Sequence, residues 1–133
     1  MKAKYKITLV SPDGDGYHAL SNMNVESTDT STPGIVKYTF AESVPMSTYL
    51  TVFIVSDFKG RTGIVNEAEK VGKNFSLSIF STPAQYNKTE YAFDSSKKVI
   101  EYYIDYFQLE YPLPKLDLAA IPDFVSGEFL VKV

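Results

Sequence analysis

The sequence has no cysteine and no tryptophan, and its 133 residues include a single histidine, His18. Without thiols there is no disulfide to brace the fold, and the redox compartment cannot be read from cysteine usage. A catalytic zinc draws mainly on His nitrogen and Cys sulfur and needs three protein ligands around an open position. One imidazole and no thiolate rule out a His-Glu-x-x-His helix, so no metal ligand is expected in this chain, nor a catalytic residue that would work through such a metal. Long apolar runs are also missing, and no transmembrane segment is expected. Met1-Lys2-Ala3-Lys4-Tyr5-Lys6 leads into alternating residues rather than into the apolar stretch of a signal peptide, a start that suits either a cytosolic protein or a piece of a longer one. Thirteen basic residues, scattered among sixteen acidic ones for a net charge of −3, give no electrostatic footprint for phosphates, and no nucleic-acid partner is expected.

What is present is aromatic: ten Tyr and nine Phe must supply much of the packing in a chain long enough for a small core. Tyr5, Ile7 and Leu9 alternate with polar residues and predict a half-buried strand. Pro12-Asp13-Gly14-Asp15-Gly16 reads as a hairpin turn, since a calcium loop would need further oxygen ligands and a closing Glu. His18 has no catalytic or metal-binding partner in sequence and reads as a surface or strand-edge side chain. Residues 26–34 read as an exposed loop, and Val36, Tyr38 and Phe40 as a strand. Leu50, Val52 and Ile54 alternate with Tyr49, Phe53 and Val55 so that both faces are apolar, which predicts a central strand. Residues 59–63 read as a turn, 66–73 as a polar loop between domains, and Phe75, Leu77 and Ile79 as another strand.

A helix is predicted next, with Asn87 and Glu90 as its capping pair and Ala92, Val99, Tyr103 and Phe107 as its core-facing stripe. Asp94 with Lys98, and Lys97 with Glu101, have the spacing of helical ion pairs. The aromatic run 102–107 could stack on bases or sugars, although tyrosines at this spacing more often edge a core. Asn74-Phe75-Ser76 and Asn87-Lys88-Thr89 are N-glycosylation acceptor patterns, with Asn74 and Asn87 as the candidate sites. Together they favour a secreted or cell-surface parent, with a cytoplasmic one left open.

Constraint is densest in Tyr111–Gly127, YPLPKLDLAAIPDFVSG, where three prolines fix the backbone and Leu116–Ile121 suits one short buried strand. This stretch resembles the aminopeptidase N family of zinc metallopeptidases, as does Met46–Phe58 with its MSTYL and VSDF segments. In that family PLPKLDLAAIPDF leads into Gly-Ala-Met-Glu-Asn, a strand that grips the substrate. Gly127 matches the first residue of that motif and is the one substrate-binding candidate. Glu128, Phe129, Leu130 and Val131 follow instead of the family residues, and Leu130 stands where the amine-binding Glu would be. Because Gly-Glu-Phe can be encoded around an intron-start sequence, residues 128–133 are expected to be translated intron. Genomic sequence lacking that signal at the Gly127 codon would refute this.

The resemblance implies an α+β fold, mainly β with one long helix. Residues 1–70 would end a β-saddle domain, residues 71–127 would begin a thermolysin-like catalytic domain as a strand, a helix and a strand, and residues 128–133 would form an unrelated tail. It also implies that the full-length enzyme uses zinc and takes peptides as substrates, while this chain carries no cofactor and is inactive alone. The alternative is a non-catalytic interaction module, or a decoy of the full-length enzyme. A further expectation is poor stability and self-association, because part-domains leave strand edges and apolar faces uncovered.

Overall fold

The computed structural model describes residues 2–66 and 71–122. The chain is α+β, with short strands in three sheets and one long helix. It divides between Phe58 and Lys59 into two compact units.

In the first unit, β1 (Thr8–Pro12), β4 (Ile35–Phe40) and β3 (Val25–Asp29) form an antiparallel sheet in that order, and β2 (His18–Ser21) pairs with β5 (Phe53–Ser56). Val36 and Phe40 alternate into the interior with Ala19, Leu20 and Met46, as period two requires. Tyr5, Ile7 and Leu9 are half-buried while their neighbours are exposed, although the regular strand starts only at Thr8.

Three expectations for this unit are corrected. The Asp13–Gly16 turn does not close a hairpin, because β1 pairs with β4 and the chain passes into the other sheet at β2. Positive φ at Gly14, Asp15 and Gly16 lets the backbone make that change. Residues 25–29 form a wholly exposed strand with a register shift between Val25 and Ser27, not a loop. Nor is Met46–Phe58 a central strand: Thr48–Leu50 is a 3₁₀ turn, β5 pairs only with β2 among the described residues, and Phe53 and Val55 are exposed. Apolar residues on both faces marked an edge strand with an open side.

In the second unit, β6 (Lys59–Val65) runs antiparallel to β7 (Phe75–Ser81), and β8 (Lys115–Ala119) runs parallel to β7 on its other side. The expected turn at 59–63 is therefore strand, with Gly60 and Gly63 lying inside it. Gly63 is there for space, since a Cβ at that position would sit 2.6 Å from Phe93 Cζ. The parallel β7–β8 pair needs a crossover, supplied by a 3₁₀ turn (Pro83–Lys88) and α1 (Thr89–Phe107).

Helix α1 covers one sheet face. Ile104 is buried with Val65, Phe75, Leu77, Ile79 and Leu116, and Ala92, Phe93 and Ile100 pack against this cluster. The predicted stripe was out of phase, because Val99, Tyr103 and Phe107 are exposed and only Ala92 of the four meets the core. Asn87 does not cap the helix: it lies in the 3₁₀ turn, and Lys88 at the N-cap makes no side-chain capping bond. Gln108 ends the helix with φ 51, in the left-handed conformation usual for that position.

Candidate functional site

Strand β8 and its approach carry the most constrained residues. The Tyr111 ring stacks on Phe75 with centroids 4.4 Å apart, and its hydroxyl donates to the Lys115 carbonyl at 3.2 Å. These contacts fix where β8 begins, just after Pro112 and Pro114. Burial pushes the Tyr111 phenol up to about 12, and the nearby Asp117 carboxylate adds to the shift.

Within β8, Leu116 joins the helix-side core, so alternation turns Lys115 and Asp117 to the other face. Register places Asp117 opposite Ser78 and Ser78 opposite Thr62. The Thr62 and Ser78 hydroxyls are 2.9 Å apart, and Lys115 Nζ donates to Asp117 Oδ2 at 2.5 Å. Side-chain exposure of this ion pair is 12% for Lys115 and 6% for Asp117. A polar row thus crosses all three strands behind the apolar face. The Thr62–Ser78 bond ties β6 to β7, while the Lys115–Asp117 ion pair lies within β8. In sequence these residues are Lys-x-Asp in a strand-forming run, Ser78 in an alternating strand and Thr62 in a stretch whose glycines suggest a turn, and no local pattern connects them.

Asn66 supports the other end of the sheet. Its backbone adopts φ 60, and its amide Nδ2 donates to the Val71, Gly72 and Lys73 carbonyls, while its N–H donates to Glu101 Oε1 at 3.1 Å. These bonds tie residues 71–73 and Glu101 of α1 to Asn66.

The sequence-derived sites fall as follows. Asn74 is exposed just before β7, and Asn87 is exposed in the 3₁₀ turn. Thr89 of the second acceptor pattern is buried, donating to the Tyr86 carbonyl at 2.7 Å and accepting from Arg61 Nε at 3.2 Å. Gly127 and the tail 128–133 lie outside the described residues. His18 sits in β2 opposite Ser56, with Nδ1 3.2 Å from the Gly16 carbonyl oxygen. Among the described residues no three His, Asp or Glu side chains form a metal-holding group, and no helix is long and apolar enough to cross a membrane.

Residues 1–50 of this α+β chain match the Peptidase M1 N-terminal domain. Similarity extends well past that domain, and the chain belongs to the M1 aminopeptidase family. It is 43% identical over 128 residues to endoplasmic reticulum aminopeptidase 1 of Rattus norvegicus, covering 96% of this chain and 13% of the relative. It is 43% identical over 109 residues to the Homo sapiens protein of that name, covering 82% and 11%. To glutamyl aminopeptidase of Rattus norvegicus it is 44% identical over 126 residues, covering 95% and 12%. The chain thus spans only 11–13% of the length of these relatives.

Proposed function

We propose that this chain is a scaffold segment of an M1-type zinc aminopeptidase, and that by itself it does not hydrolyse peptides. The observation that carries the reading is the 43% identity across 96% of the chain to an aminopeptidase. In the full-length enzyme, zinc would polarise a water for attack on the N-terminal peptide bond, with a Glu as general base. The donor set here does not fit that metal, because one histidine and no cysteine cannot supply the usual ligands. What these residues do is anchor β8, through the stack of Tyr111 on Phe75 and the buried Lys115–Asp117 pair. Gly127 is the proposed substrate-side residue.

The proposed division assigns 1–70 to the family's β saddle, 71–127 to the start of its thermolysin-like domain and 128–133 to a tail outside the family pattern. Strand β6, on the saddle side of that division, would then lend its hydrogen bonds to β7. For the parent protein we propose peptide substrates, a secreted or cell-surface location, and glycans at Asn74 and Asn87. The names of two relatives place those proteins in the endoplasmic reticulum, the compartment in which N-glycans are added, and so support the glycans more directly than the final location. A second reading, an interaction module or decoy that associates with copies of itself or with the full-length enzyme, is supported by the open aromatic face of α1. Assaying the purified recombinant chain on an aminoacyl-anilide tests the first reading. No hydrolysis above buffer is expected, and hydrolysis that a chelator abolishes would overturn it.

A further inference from the structure

Helix α1 buries Thr89 and Ile104 and turns a second apolar face to solvent. At 100° per residue, Tyr102, Tyr106, Val99, Tyr103 and Phe107 fill an arc of about 140° on that side. Their exposures run from 51% to 66%. Tyr102 stacks on Tyr106 and Tyr103 on Phe107, each pair with centroids 5.8 Å apart, and Tyr106 meets Phe107 edge-on at 5.0 Å. Rings already held against one another have little rotamer freedom left to lose on binding.

We infer that this face is where two copies of the chain meet, α1 against α1, antiparallel about a two-fold axis. The inference rests on the self-association proposed above and names its surface. Charge selects the occupant. Lys98 and Asp105 are both exposed. Seven residues apart, they lie about 20° from each other around the axis and about 10.5 Å apart along it, both flanking the stripe on the side of Tyr102. In an antiparallel pair centred between Glu101 and Tyr102, Lys98 faces the partner's Asp105, and symmetry repeats the contact. A parallel pair would carry this flank to opposite sides of the interface in the two copies, so that its charges find no partner there.

The area agrees with this occupant. Five such side chains at these exposures present on the order of 500–600 Å² per copy, so a pair would bury about 1,000–1,200 Å², around the lower bound for a specific interface. The result is a weak dimer whose partner choice depends on its flanking charges.

Sedimentation of the full chain over a concentration series tests the inference. The unmodified chain should form a dimer. Asp105→Lys should weaken it about tenfold or more, since each Lys98 would then face a lysine. Adding Lys98→Asp to that variant should restore dimerisation. A lysine in the last turn suits the helix dipole, and circular dichroism checks that both variants keep their helix. Association unmoved by the charge reversal would overturn the inference and leave pairing through strand edges as the mode. A monomer at every concentration would overturn both and leave the face to another occupant, such as chain that the longer relatives possess.

Discussion

Asp117 and Lys115 are buried side by side, so the stability of β8 depends on their staying paired. Removing one partner of such a pair strands the other charge away from water, at about 3–5 kcal/mol, whereas replacing both by apolar groups is often neutral. Asp117→Ala should therefore lower the denaturant midpoint sharply, and the Lys115→Met, Asp117→Leu double variant should recover most of the loss. Equal losses in the single and double variants would show that the pair is not the cause. Tyr111 adds a pH dependence. Its folded-state value, about 12, lies above the ordinary value of 10, so its contribution to stability is complete below pH 10 and disappears as pH rises towards 12. Ultraviolet titration should find a tyrosine step near pH 12, and Tyr111→Phe should remove that step. These roles were only partly legible in the sequence. The prolines and the alternation marked a held strand, but which face of β8 would be apolar depended on the position of α1.

Among the elements, α1 shows most clearly what the sequence left open. Its existence could be read from the spacing, but an aromatic helix with apolar residues on two sides does not reveal which side meets the sheet. The structure answers through Ile104, Ile100 and Phe93, and denaturation of variants checks the answer. Ile104→Ala should cost about 2–4 kcal/mol, as expected for a buried aliphatic side chain. Tyr103→Ala, on the open face, should cost well under 1 kcal/mol in the monomer. The reverse order would mean that the helix is turned the other way. Strand β6 was missed for a related reason. Its two glycines signal a turn in isolation, yet Gly63 accommodates Phe93 and Gly60 accommodates the Phe80 ring. Gly63→Val should destabilise the sheet by about 1–3 kcal/mol through overpacking, measured by the same denaturation.

At the scale of the whole chain, two compact units carry a sequence that covers an eighth or less of the rat glutamyl aminopeptidase it resembles. The family was legible in Met46–Phe58 through its MSTYL and VSDF segments and in Tyr111–Gly127 through its proline-fixed run. The edge position of β5 and the open face of α1 were not legible, since no local pattern states whether a neighbour will be present. The proposed framework role requires that these residues hold no metal centre. Dialysing the purified chain against zinc at neutral pH, then measuring metal per chain after removing the excess, should give far less than one zinc per chain, removed by a mild chelator. One tightly held zinc per chain, bound through three side-chain donors of this sequence, would contradict it.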